Sequence, residues 1–168
     1  MKHRILSIIC CLVTIGWMYG IYYLSTETGT ETAETSQAIA DVLAELFIDD
    51  PTISQVDFIH KSVRTLAHFA LYSVLGVLAT FSVVSFLLVS KLRTKVIAVS
   101  IVPFFVGAYG FYDEWQKQFI DGRHFDKSEA VLNIFSGLCG VLMAIILLLA
   151  LAHIVYLIKS SVKKQLPN

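Results

Sequence analysis

Charge is scarce in this chain, and neither sign is in excess. Thirteen Lys and Arg balance thirteen Asp and Glu across 168 residues, 15% of the sequence in all. That balance, with a pI near 7.0, leaves no basic stripe to neutralise phosphates and excludes a nucleic-acid binder. Cysteine is nearly absent too. Cys10, Cys11 and Cys139 all lie in apolar runs, where thiols behave as small hydrophobes, so neither a disulfide framework nor a cysteine metal site is expected. No Ser-His-Asp order, Walker loop or HExxH pair occurs, which removes the commonest motif-borne chemistries. Internal repeats and a separate soluble domain are missing as well, so residues 1–168 read as one domain.

What the chain has instead is apolar sequence: 56% hydrophobic residues, with a mean hydropathy of +0.71. That is too apolar for a soluble domain of this size. Four segments are long enough to cross a bilayer, roughly 5–24, 66–90, 96–112 and 131–158. The first exceeds the usual signal-peptide core of about 7 to 15 residues and lacks a small-residue cleavage site, so it is expected to stay as a span. The expected fold is an all-α integral membrane protein, a four-helix transmembrane bundle.

Orientation follows from where the charges fall. Eight of the thirteen Lys and Arg occur at Lys2, Arg4, Lys91, Arg93, Lys95, Lys159, Lys163 and Lys164, with no acid among them. All thirteen Asp and Glu fall in the other two connections. The positive-inside rule then places both termini and the 91–95 loop in the cytoplasm, and the acidic connections outside. In the outer connection, 25–63, the stretch STETGTETAETS is too polar to pack. From Ser36 the pattern changes, and Ile39, Val42, Leu43, Leu46 and Phe47 predict an amphipathic helix over about 36–48, lying on the outer leaflet or capping the bundle. Asp50-Pro51 reads as the start of the next helix, a capping residue before a Pro at the first helical position. Trp17, Tyr19, Tyr22 and Tyr23 crowd the outer end of the first span, as an interfacial belt does.

The polar stretch Tyr112–Asn133, YDEWQKQFIDGRHFDKSEAVLN, needs a reason. It carries five acidic residues between two long apolar runs, and a charged side chain costs roughly 2.5 to 3.5 kcal/mol near a bilayer centre unless partnered. Arg64, His68 and Tyr72, at i, i+4 and i+8, share one face of the second span. A polar stripe running into the membrane faces protein or water rather than lipid. The third span, with Pro103, Gly107 and Gly110 set for a kink or a close helix contact, delivers Asp113 and Glu114 to the same height. Asp121-Gly122 marks a turn before Arg123. Asp126 followed by Glu129 has the form of a capping box, so Asp126 belongs either to the helix end or to the site. Asn133 is an intramembrane amide that serves packing or a ligand. Ser136, Gly137 and Gly140 give the last span a small-residue surface for close packing.

RTLAHFALYSVLG, then YDEWQKQF, Gly122-Arg123, and an acidic residue with Asn133 opening a Gly-rich helix, resembles the VanZ-like family of bacterial membrane proteins. The elements occur in the family's order across most of the chain. Thr65, Gln116, Lys117, Asp121, Glu129 and Ser136 stand where that family often has other residues. The resemblance implies Arg64, His68, Tyr72, Asp113, Glu114, Arg123 and Asn133 as binding residues, a bacterial cytoplasmic membrane location and an accessory role in glycopeptide (teicoplanin) resistance. No cofactor is implied, and one His with scattered acids does not make a metal site.

Three roles fit these residues. The first is binding of a lipid headgroup, a lipid-linked cell-wall precursor or a lipidated antibiotic through the arginines and acids, with membrane lipids as general partners. The second is an enzyme on a lipid-linked or phosphate-containing substrate, with His68 as acid or base. The third is an ion-pair network that only fixes the helix bundle.

Overall fold

The computed structural model of the chain describes residues 2–48, 51–87 and 92–165. All regular structure among them is helical: α1 (Lys2–Ser25), α2 (Gly29–Phe47), α3 (Ile53–Phe86), α4 (Leu92–Gln116), a single 3-10 turn at Lys117–Phe119, and α5 (Lys127–Gln165). Four helices are long and apolar enough to cross a membrane, over Arg4–Ser25, Ile53–Phe86, Val96–Phe119 and Lys127–Val162. Residues 88–90, the expected end of the second span, lie outside the described residues, as does Lys91.

α3 is the hub. It packs against α1, α2, α4 and α5, whereas α1 and α4 scarcely touch. Its 34 residues rise about 51 Å, well beyond a hydrocarbon core of about 30 Å. The Ile53–Val63 stretch therefore extends past the bilayer core, with α2 packed along it. Small residues set the tightest crossing. A Cβ on Gly76 would fall on the Gly137 carbonyl, and one on Gly140 would fall on the Ser73 backbone. Ser73 Oγ donates to the Ser136 carbonyl at 3.1 Å in the same crossing. Such close backbone approach is how helices bind one another where no hydrophobic effect separates them from lipid. Gly110 of α4 likewise lies against Asn133 of α5, at 3.1 Å from where a Cβ would stand to Asn133 Cβ.

The buried core is a thin column of Ile21, Tyr72, Leu75, Ala79, Val102, Val106 and Val141, and most other large apolar side chains face outward. Hydrogen bonds stitch the helices along this column. Thr14 and Ser82 hydroxyls meet at 2.8 Å, Trp17 Nε1 donates to the Leu71 carbonyl at 2.9 Å, and Tyr109 Oη donates to the Met18 carbonyl at 2.6 Å.

Three expectations change. α2 starts at Gly29, taking in most of the stretch read as too polar to pack, because it needs only one packed face. That face is Ala40 and Ala44, both fully buried, while Ile39, Val42 and Leu46 are exposed. The two alanines let the α2 backbone sit close to α3, which the bulkier ridge would prevent. Asp50, read as a cap, lies outside the described residues, and Pro51 precedes the helix instead of opening it. The N-cap of α3 is Thr52, whose N–H and hydroxyl both donate to Gln55 Oε1 at 2.8 Å. Trp17 leaves the aromatic belt for the bundle interior, whereas Tyr19, Tyr22 and Tyr23 remain exposed.

Candidate functional site

The end of α1 sets the height of the polar cluster. Ser25, its last residue, donates its hydroxyl to Asp113 Oδ2 at 2.8 Å. Tyr72 Oη donates to the same oxygen at 2.5 Å, and Gln116 Nε2 donates to Oδ1 at 3.2 Å. Asp113 is buried, so its charge depends on these three neutral donors, one each from α1, α3 and α4. The carboxylate thus ties three helices together where the first span ends.

One turn further along, Lys117 occupies the centre of a second group. It is buried to 1% exposure, its Nζ donating to Glu114 and, at 3.0 Å, to Glu129 Oε2. The other oxygen of Glu129 meets Arg64 Nη2 at 2.6 Å. His68 Nε2 is 3.9 Å from Glu129 Oε2, and its Nδ1 lies 2.8 Å from Asn133 Oδ1. Asn133 Nδ2 donates to the Gly110 carbonyl at 3.5 Å, which leaves the amide oxygen to accept the Nδ1 proton. His68 in its neutral form is therefore the Nδ1–H tautomer, with the Nε2 lone pair turned toward Glu129.

The capping box expected at the start of α5 is incomplete. Asp126 Oδ1 accepts the N–H groups of Ser128 at 2.7 Å and Glu129 at 3.4 Å. Those bonds, led by the one from Ser128, hold the Asp126 carboxyl below its ordinary pKa of 3.8. The reciprocal arm comes from elsewhere: Glu114 Oε1 accepts the Asp126 N–H at 3.4 Å. Glu129 is drawn away because Arg64 and Lys117 offer full charges where the helix end offers only an amide. Asp126 is the cap, and Glu129 belongs to the cluster.

Arg123 reaches the cluster from the loop after the turn. Its Nη1 donates to the Glu27 carbonyl at 3.1 Å, closing the loop onto the end of α1. Burial, followed by the nearby Arg64 charge, lowers its pKa below the ordinary guanidinium value. Two guanidinium groups thus share one partly desolvated space.

A cavity of about 200 Å³ opens here. Its lining combines the polar Arg64, His68, Tyr72, Asp113, Lys117 and Arg123 with the apolar Ile21, Leu24, Ile39, Val63 and Leu71. No family model, curated protein or solved structure matches this chain. The chemistry must be read from the geometry. Five of the seven sequence candidates line the cavity: Arg64, His68, Tyr72, Asp113 and Arg123. Glu114 and Asn133 stand behind it as buried supports. Lys117 and Ser25 were missed. For Lys117 the available signal was its position three residues after Glu114, one helical turn away. Ser25 carried none. Among the described residues no three His, Cys, Asp or Glu side chains group as a metal site.

Proposed function

We propose that this chain is a VanZ-like, multi-pass protein of a bacterial cytoplasmic membrane, both termini in the cytoplasm, whose cavity binds the anionic head of an amphiphile at the outer leaflet. The observation that carries the reading is the joint presence of Arg64 and Arg123 in one cavity whose lining also includes Ile21, Leu24, Ile39, Val63 and Leu71. Guanidinium groups suit phosphate and carboxylate through paired N–H donors, and the apolar lining suits an attached chain. Arg64 holds Glu129 through Nη2 while 37% of its side chain stays exposed to the cavity side of the cluster. The segregation of Lys and Arg from Asp and Glu along the sequence supports the orientation. A lipid headgroup, a lipid-linked cell-wall precursor and a lipidated glycopeptide such as teicoplanin all have this chemistry, and an accessory part in glycopeptide resistance follows from binding any of them.

Teicoplanin susceptibility across Arg64→Ala, Asp113→Ala, Glu114→Ala and Arg123→Ala, with membrane abundance measured in parallel, tests the proposal. Graded loss of protection at normal abundance is expected for Arg64→Ala and Arg123→Ala, whereas Asp113→Ala and Glu114→Ala, whose carboxylates hold helices together, should lower abundance as well. Unchanged susceptibility for all four variants and for the deletion would remove the antibiotic link.

A structural reading has support of its own from Lys117, which is buried between two carboxylates. The two readings divide the cluster: Glu114, Lys117 and Glu129 hold the fold, and the arginine side faces the ligand. The catalytic reading has less, since His68 Nδ1 is oriented by an amide, Asn133, where a catalytic imidazole commonly has a carboxylate.

A further inference from the structure

The imidazole of His68 has an assignment that the binding reading does not use. His68 lines the cavity, and its Nδ1–H is committed to Asn133 Oδ1, so its basic nitrogen, Nε2, is turned toward Glu129 at 3.9 Å. We propose that His68 is the proton-binding element of this site: an anion that occupies Arg64 and Arg123 is taken up together with one proton on His68 Nε2. The inference rests on the binding reading above and adds the coupling.

The charges around His68 carry the argument. On its own helix Arg64 lies one turn before it and Tyr72 stacks one turn after, with ring centroids 6.3 Å apart. From α5 come Glu129, at 3.9 Å, and the neutral Asn133. Lys117 of the 3-10 turn also acts on the ring, as Glu129 and Arg64 do. Asp113 of α4 is reached through Tyr72, and Arg123 lies across the cavity. Glu129 serves two cations, Arg64 through Oε1 and Lys117 through Oε2, so a third positive charge on His68 has little carboxylate left to pair with. An incoming anion on Arg64 changes that balance. It takes over part of the Arg64 charge, the Glu129 carboxylate is left less fully neutralised and better able to stabilise an imidazolium 3.9 Å away, and protonation adds the missing positive charge. The balance is simple: one anion and one proton enter, and no covalent bond changes. By linkage, what the anion does for the proton the proton does for the anion, so binding strengthens as pH falls through the titration of His68.

A ligand whose own charge does not change with pH separates this from titration of the ligand. Decanesulfonate would be titrated into the full-length protein in phosphatidylcholine nanodiscs between pH 5.5 and 8, with sodium sulfate in parallel. Isothermal titration in buffers of different ionisation enthalpy reads the protons taken up. The expected result is uptake of between zero and one proton per bound anion, and a Kd that rises by at most about tenfold per pH unit. His68→Gln should still bind, with a flat pH profile and no proton uptake. Decanesulfonate binding without sulfate binding identifies an amphiphile site, and binding of both identifies a general anion site; either supports the coupling if a proton enters. Binding without proton uptake in the unmodified protein overturns the coupling and leaves the binding reading standing. Uptake that persists in His68→Gln overturns the assignment to His68. Absence of binding by either anion at every pH overturns both readings. If His68→Gln fails to fold, the uptake measured on the unmodified protein decides.

Discussion

Lys117→Met tests the centre of the cluster most directly. The side chain is 1% exposed and its ammonium bridges Glu114 and Glu129, so removing it leaves two largely desolvated carboxylates facing each other. Breaking a buried ion pair by deleting one partner costs about 3 to 5 kcal/mol, because the remaining charge is left uncompensated. Glu129 keeps Arg64 at 2.6 Å, so the burden falls on Glu114, whose other bond is the 3.4 Å contact from the Asp126 N–H. For a chain of this length each kcal/mol lowers Tm by roughly 2 to 4 °C, so a loss of about 6 to 20 °C is expected. Thermal unfolding in detergent, followed by fluorescence-detected size exclusion, measures it. The double variant Glu114→Gln/Lys117→Met removes the stranded charge as well and should recover much of the loss, as replacement of both partners of a buried pair often does. A Tm within 2 °C of the unmodified protein for Lys117→Met alone would refute the placement of this lysine, as would a double variant that adds the two single losses.

The remaining predictions are quicker to state. Gly140→Ala and Gly76→Ala place a methyl on facing backbone and should each cost about 1 to 3 kcal/mol or more, whereas Gly16→Ala and Gly20→Ala, with nothing within 4 Å of the new atom, should leave Tm unchanged. Tyr72→Phe strips Asp113 of its 2.5 Å donor and should cost about 1 to 3 kcal/mol in the same assay, while abundance in the membrane falls less than for Asp113→Ala. Asp126→Ala removes the cap of α5 and should cost about 1 kcal/mol at pH 7. The folded pKa of Asp126 lies below 3.8, so its contribution is complete above that value and is lost as pH falls through the folded pKa. The difference between variant and unmodified protein should accordingly vanish in strong acid.

Much of this arrangement was legible in the sequence because membranes impose simple rules. Runs of apolar residues announce spans, and the i, i+4, i+8 spacing of Arg64, His68 and Tyr72 announces a shared face, since no side chain on that stripe could face lipid cheaply. Ser136, Gly137 and Gly140 pointed to close packing of the last span. Other features were hidden because they depend on which helices become neighbours. Lys117 is three residues from Glu114, but its burial requires Glu129 to arrive across a turn of the chain. The contact of α2 with α3 was hidden because a periodicity count follows the large apolar side chains and passes over Ala40 and Ala44, although alanines allow the closer approach. Glu129 looked like the partner of Asp126 until Arg64, 65 positions earlier in the chain, competed for it.

The group formed by Glu114, Lys117 and Glu129 also bears on how the chain assembles. Glu114 ends α4, Lys117 opens the turn and Glu129 starts α5, two carboxylates and one ammonium, so this group within the hairpin carries one uncompensated negative charge before it docks. Arg64 of α3 supplies the opposite charge through Glu129. Helices already inserted in a bilayer associate with little hydrophobic guidance, and side-by-side sliding between glycine-rich surfaces is inexpensive. A single matched charge at one end of the crossing sets the register in which the two surfaces come to rest.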